Sequence, residues 1–231
     1  MSLSLRTSRI AVFLIHASLV VLAVVVAFGG MGTVVARTPA AELDTLVRSQ
    51  CLSPVADAYA WDWFGSNRDQ NYGSADYLDV AALGDTSLDR RNSFLRFDLS
   101  AIPSVSVVLS AELRMYLTGI DYDATTYARL EAVEDSWSEM TLTWNNQPGI
   151  TSNTYDEWTI YDNPGWQSWD ATLLANEWVT GQRTNNGLAV VSGGVASAPA
   201  HFYSREGSEA LAPQLCVEWQ AHAVFLPLIS H

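Results

Sequence analysis

The sequence predicts an all-β fold, an antiparallel β-sandwich with one short helix, and three observations lead to that assignment. Residues 109–117 alternate apolar and polar side chains with a period of two, the pattern of a strand with one buried face. Nine further short segments have the composition of strands and are separated by turns rich in Gly, Pro, Asn and Asp. Beyond residue 36 the chain is about the size of one domain, which favours a single sandwich.

The other predicted strands are, in chain order, 55–63, 77–83, 93–99, 127–133, 141–144, 157–161, 188–192, 201–204 and 213–219. Residues 171–180 predict a helix instead. Asp170 is a good N-cap, Leu174 and Trp178 lie one turn apart, and Gly181 suits the first position after the helix.

The two ends of the chain differ from this middle part. Arg6 and Arg9 precede an apolar run, 10–28, and small residues precede position 37, so residues 1–36 are predicted to be a signal peptide. The apolar run is just long enough to span a bilayer, which leaves an uncleaved N-terminal membrane anchor as an alternative. Either reading places the rest of the chain in the secreted, extracellular space or at the outer face of the membrane. Residues 37–52 are interpreted as a polar lead, 53–220 as the folded domain and 221–231 as a short apolar tail.

Charge narrows the possible partners and cofactors. The net charge is −13 with no Lys at all, which argues against nucleic acid because phosphate binding needs a basic surface. Asp-rich exported domains often bind Ca²⁺ through loop oxygens, and Asp57, Asn71 and Asp76 flank a Gly-containing loop. We expect a structural calcium site there, with Asp170 as a weaker candidate ligand. The alternative is a set of solvated loop acids.

The two cysteines, Cys51 and Cys216, lie near the two ends of the domain. Export permits a disulfide between them, which would make the first and last strands neighbours. Two unrelated buried thiols are the alternative.

Catalytic patterns are scarce. His201 is the one histidine within the predicted domain, which gives no zinc spacing and no nucleophilic triad. Carboxylate pairs for glycoside hydrolysis exist in principle, but nothing singles out a pair among Glu131, Glu134, Asp135, Glu139, Asp156 and Glu157. A polysaccharide hydrolase or lyase is therefore the least favoured function.

Seven motifs occur in order along the domain: NYGS, SFLRFDLSAIP, SAELRMYLTG, SWSEMTLTWNNQPG, GWQSWDATLLANEWVTG, NNGLAVV and FYSREGSEALAPQLCVEW. Together, over 53–220, they resemble the DNRLRE-type domain, also called carbohydrate-binding module family 96. The resemblance implies a jelly-roll β-sandwich and a secreted, non-catalytic module that binds polysaccharide or a cell-surface glycan. Some members of that family bind acidic polysaccharides such as alginate. Two features depart from the family: the inserted WDWFGSNRD and the absence of Lys. A structural or adhesive surface protein is the alternative.

Sugar rings stack on aromatic side chains and pair with polar ones, which selects the ligand candidates. These are Tyr59, Trp61, Trp63, Trp166, Arg96 and Arg205. If Ala58 and Ala60 face the core, the three aromatics of the first predicted strand form an outward aromatic stripe. A slip of one residue would bury all three.

Overall fold

A computed structural model describes residues 46–83, 89–194 and 196–221. The predicted signal peptide or anchor, the first part of the polar lead and nearly all of the apolar tail lie outside these ranges. Within them, no helix has both the length and the apolar character needed to cross a membrane.

The described residues form eleven strands and one α-helix, which confirms the all-β class with a single short helix. The strands are β1 (Leu46–Leu52), β2 (Pro54–Trp63), β3 (Tyr77–Leu83), β4 (Asp89–Phe97), β5 (Val107–Ile120), β6 (Thr125–Val133), β7 (Ile150–Tyr161), β8 (Gly165–Asp170), β9 (Leu188–Ser192), β10 (Ala196–Tyr203) and β11 (Gln214–Ala221). The helix α1 spans Thr172–Val179, and short 3₁₀ turns cover Asp121–Asp123 and Glu139–Thr141.

All these strands join one antiparallel, hydrogen-bonded sheet. Its main path runs β1-β11-β5-β10-β3-β4-β9-β6-β7, with β2 paired to β4 and β8 paired to β5. β4 is the branch point. It pairs with β2 along its whole length, with β3 through 89–91 and with β9 through 93–95. The two separate sheets of a jelly-roll sandwich stay a prediction.

Apolar side chains fill two cores. The larger core contains the inward face of β5, including Leu113, Met115 and Leu117, as the alternation predicted. In the smaller core, Ala58 and Ala60 of β2 pack with Phe94 and Trp137. The predicted inward position of these two alanines is thus confirmed.

Three segments differ from the sequence prediction. Residues 46–52, assigned to the polar lead, form β1 on the edge of the sheet, where their exposed side chains leave no pattern of burial. β8 was not predicted. The expected strand at 141–144 is a turn, because the Asn146 side chain accepts from the Thr143 backbone N–H and donates to the Thr141 carbonyl. Such local side-chain bonds compete with strand pairing.

The helix begins at Thr172, one residue later than predicted. Ala171 is the N-cap, while Asp170 accepts a hydrogen bond from the Thr172 N–H at 2.8 Å. Gly181 has the predicted left-handed conformation, with φ of 73°. Leu174 and Trp178 are both buried in the larger core.

Cys51 and Cys216 form a disulfide. They lie opposite each other where β1 pairs with β11, so the first and last described strands are neighbours, as predicted.

Candidate functional site

Four aromatic side chains lie side by side on four adjacent strands, on the face opposite the larger core. Tyr77 of β3 is paired in register with Tyr203 of β10, and Tyr116 of β5 is paired with Trp166 of β8. Neighbouring ring centroids are 5.6 Å apart for Tyr77–Tyr203, 6.1 Å for Tyr203–Tyr116 and 5.5 Å for Tyr116–Trp166. We call these four residues the aromatic row. The row follows from strand spacing, since each strand contributes one ring to the same face.

The two ends of the aromatic row are exposed. Tyr77 and Trp166 are each 44% exposed, while Tyr116 and Tyr203 between them are half-buried. The row therefore presents a continuous apolar strip that water and a ligand can reach. An exposed apolar strip of this kind is a typical mark of a binding surface.

A shallow depression that includes polar side chains adjoins each end of the aromatic row. The one beside Tyr77 is lined by Thr118, Gly119, Ile120, Asp121 and His201. The one beside Trp166 is lined by Glu112, Arg114, Ser168 and Gln214. Both offer hydrogen-bond donors and acceptors next to an aromatic face, the combination that sugar recognition uses.

His201 is held between two carboxylates. Its Nδ1 lies 2.8 Å from Asp79 Oδ1, and its Nε2 lies 3.2 Å from Asp121 Oδ1. The hydrogen bond to Asp79 is the main cause that raises the pKa of His201 above its ordinary value. Both ring nitrogens are thus occupied by protein groups.

A buried ionic network lies behind His201. The Arg91 guanidinium donates to Asp79 at 2.8 Å and, through two bonds, to Asp89. It also stacks over the Trp61 ring, whose Nε1–H donates to Asp89 at 2.7 Å. Each charged side chain of this network has a partner of opposite charge, which compensates the free-energy cost of burying it.

The predicted aromatic stripe of β2 is only partly exposed. Tyr59 is 8% exposed, because the loop after β2 folds back and stacks the Tyr72 ring on it at 4.4 Å. Tyr59 thus lies on the strand face opposite Ala58 and Ala60, but the exposed position predicted for it is wrong, because the loop covers it. Trp61 is half-buried in the ionic network, and Trp63 is 41% exposed.

A second exposed aromatic patch lies where β2 ends. We call Trp63 and Phe64 the β2-end patch; their rings are 5.1 Å apart, and Phe64 is 62% exposed. Phe64 has φ of 48°, an unusual backbone conformation for a bulky residue. Beneath the patch, Asp62 is paired with Arg68 and Arg90. The patch has two rings, against four in the aromatic row.

The three predicted calcium ligands differ in their surroundings and partners. Asp57 is buried, but the Asn71 amide donates to the carbonyls of Glu139 and Leu142. Asp76 is exposed, and its backbone carbonyl accepts from the Ser204 N–H. Asp57 instead meets two glutamates that the sequence could not connect to it, as described below.

Residues 48–219 match the family profile of carbohydrate-binding module family 96. The chain belongs to this family. A gellan lyase from Bacillus sp is 29% identical over 132 residues, which is 56% of this chain. The match covers 5% of the length of that lyase, so the chain corresponds to a small part of it.

In this family 96 module the two predicted ligand arginines bind protein groups outside the aromatic row. The Arg96 guanidinium donates to the Trp137 carbonyl at 3.2 Å and stacks over the Trp137 ring. Arg205 forms ion pairs with Glu139 and Glu206 and donates to the Val55 carbonyl. Each of these arginines thus joins segments that are distant in sequence.

Of the predicted ligand residues, Trp166 alone belongs to the module's aromatic row. The sequence contained a usable signal for Tyr116, which occupies a polar-face position in the alternation of 109–117. Tyr77 and Tyr203 stand at strand ends and gave no such signal. These two rings are neighbours because β3 pairs with β10, and strand pairing between distant segments cannot be deduced from local sequence.

Proposed function

We propose that this chain is a secreted, non-catalytic module that binds polysaccharide along the aromatic row. One observation carries the proposal: four rings on four adjacent strands form a strip with centroid spacings of 5.5–6.1 Å. A sugar chain that crosses the strands can pack against the three tyrosines, whose planes differ by 21° and 32° between neighbours, and against Trp166, whose ring is turned by 88° from that of Tyr116. The hydroxyl groups would then reach the polar depressions at either end.

The surroundings of the aromatic row favour binding over catalysis. His201 has both ring nitrogens engaged by Asp79 and Asp121, so it is poorly placed to accept a proton from a substrate. The strip lies open on a strand face, whereas glycosidic cleavage uses a pair of carboxyls placed across the scissile bond. The Cys51–Cys216 disulfide supports an extracellular location, since such bonds persist in oxidising compartments.

The fold we propose is the jelly-roll sandwich of the family. The branching of β4, which pairs with β3 at one end and β9 at the other, supports a sheet that divides into two layers.

The relative named gellan lyase indicates which ligand to test first. Gellan is accordingly the first polysaccharide for the screen, with alginate as a second acidic glycan and a neutral glucan as a third. The acidic character of the chain, with net charge −13, argues that binding rests on ring stacking and hydrogen bonds rather than on general charge attraction.

Affinity gel electrophoresis of the purified chain tests the proposal. We expect its migration to be retarded in a gel that contains at least one of the three polysaccharides. No retardation by any of them, with a folded chain shown by circular dichroism, would reject polysaccharide binding and favour a structural or adhesive role. Release of shortened or unsaturated products from the same glycans would contradict the non-catalytic part of the proposal.

A further inference from the structure

Three carboxylates from distant parts of the chain converge beside β2. One carboxylate oxygen from each of Asp57, Glu139 and Glu206 lies within 4.8 Å of the others. We call these three residues the carboxylate cluster. Asp57 comes from β2, Glu139 from the 3₁₀ turn Glu139–Thr141, and Glu206 from the loop after β10.

Asp57 supplies an independent sign that something more belongs in the carboxylate cluster. The residue is 1% exposed, and its Oδ1 has no hydrogen-bond partner among the described residues. Its Oδ2 accepts from the Arg205 backbone N–H at 3.0 Å. A buried carboxylate oxygen without a partner is costly, so in native proteins it is normally matched by a donor, water or an ion.

The charge in the cluster is also unbalanced. Arg205 donates to Glu139 at 2.7 Å and to Glu206 at 2.7 Å, which provides one positive charge against three carboxylates. Burial raises the pKa of Asp57 to about 7 when no ion is bound, and once all three groups are ionised the remaining charge equals that of two carboxylates. A single divalent cation would balance it.

We propose that the carboxylate cluster binds a divalent cation, with Asp57 Oδ1 as its buried ligand and Glu139 and Glu206 as the other two. Hard oxygen ligands suit Ca²⁺, which accepts a mixture of carboxylates and water. The set shares only Asp57 with the calcium site that the sequence predicted. The two glutamates replace Asn71, whose amide is committed to backbone carbonyls, and Asp76, which is exposed.

Such an ion would fasten three segments that are otherwise joined by Arg205 and by the Asp57 backbone N–H, which donates to Glu139 Oε1 at 2.8 Å. One of them begins directly after Tyr203, at one side of the aromatic row. The Ser204 N–H donates to the Asp76 carbonyl, next to Tyr77. The cation thus stabilises the segments next to Tyr203 and Tyr77, the end residues of β10 and β3, and its absence loosens this end of the row.

Thermal unfolding of the full chain, after treatment with EDTA and removal of the chelator, tests the site. We expect Ca²⁺ at a hundredfold excess over its dissociation constant to raise the melting temperature by roughly 5–10 °C. Mg²⁺ at the same concentration distinguishes a calcium-selective site from a general divalent one, and either response supports a cation site.

Matched variants locate the response. Asp57→Asn and Glu206→Gln keep side-chain size but each removes one anionic ligand, and we expect the Ca²⁺-induced shift to be lost or at least halved. Glu209→Gln removes a nearby exposed acid outside the cluster and should keep the full shift. Since Asp57→Asn affects a buried residue, isothermal titration of Glu206→Gln with Ca²⁺ provides a second readout on a milder change.

Two results would overturn the proposal. One is a wild-type melting temperature that neither Ca²⁺ nor Mg²⁺ changes after EDTA treatment. The other is a Ca²⁺ shift of equal size in the wild type, Asp57→Asn and Glu206→Gln, which would place the ion elsewhere.

Discussion

Arg91 is the residue on which the buried polar interior depends most. It is 8% exposed and pairs with two buried acids, Asp79 and Asp89. Removing this side chain takes the one Arg partner from both acids and leaves Asp79 with His201 and Asp89 with the Trp61 Nε1–H as side-chain partners. Its contribution is therefore much larger than that of an ion pair at the surface.

We expect Arg91→Leu to lower the free energy of unfolding by about 3–5 kcal/mol, the usual cost of breaking a buried ion pair from one side. Chemical denaturation followed by circular dichroism measures this. Arg114→Leu is the control, because Arg114 pairs with Glu112 at the surface and should change stability by less than about 1 kcal/mol. Equal effects of the two variants would contradict the role given to Arg91.

His201 makes part of the stability depend on pH. Its pKa is raised in the folded state, first by the hydrogen bond that it donates to Asp79 and then by Asp121, so the folded chain favours the protonated ring. This stabilisation is complete below the ordinary pKa of 6.5 and is lost as pH rises through the raised folded pKa.

The predicted outcome is that the stability difference between wild type and His201→Gln is largest near pH 5 and shrinks as pH rises above about 6.5. Subtracting the variant removes the contribution of groups other than His201, including Asp57, whose pKa burial raises to about 7. Denaturation midpoints across this pH range provide the measurement. A difference that stays constant with pH would rule out this account of His201.

At the scale of elements, the disulfide joins the first and last described strands, β1 and β11, at one edge of the sheet. β1 is exposed along most of its length and pairs with β11 alone. The Cys51–Cys216 bond joins residues 165 positions apart, so it closes a very long loop. In the chain-entropy model, long loops give the largest stabilisation of the folded state.

Replacing both cysteines, Cys51→Ser with Cys216→Ser, should lower the free energy of unfolding by about 4–5 kcal/mol. A reducing agent should destabilise the wild type to a similar extent and leave the double variant unchanged. These effects can be measured as shifts in the denaturant midpoint. If reduction left the wild-type midpoint in place, the disulfide would not contribute as described.

Elements with strict alternation or continuous apolar character could be predicted from the sequence, and edge elements could not. β3 and β9 lie at their predicted bounds, and the inward face of β5 is as expected from Ala111 to Leu117, whereas Leu109 is exposed because the pairing with β11 shifts between Val108 and Ser110. β1 has almost no buried face, so its residues showed no periodicity. The segment 141–144 has strand-like residues, but the side-chain bonds of Asn146 fold it into a turn.

At the scale of the whole molecule, the local pattern of apolar and polar residues predicted the all-β class, but it did not predict which residues form the carboxylate cluster or the aromatic row. Asp57, Glu139 and Glu206 are widely separated in sequence and meet only when three segments fold together. The aromatic row likewise depends on the order β3-β10-β5 and on the attachment of β8 to β5. Local periodicity predicts which face of the sheet a side chain occupies, but it does not predict which side chains lie next to it on neighbouring strands.

The central claim is that polysaccharide binds along the aromatic row. Affinity for the polysaccharide that retards the wild type, measured by isothermal titration, tests it most directly in Trp166→Ala, Tyr203→Ala and the matched control Trp63→Ala. We predict that each row variant weakens binding by about tenfold while the β2-end patch variant binds like the wild type. Unchanged affinity in both row variants, or a loss confined to Trp63→Ala, would contradict the account.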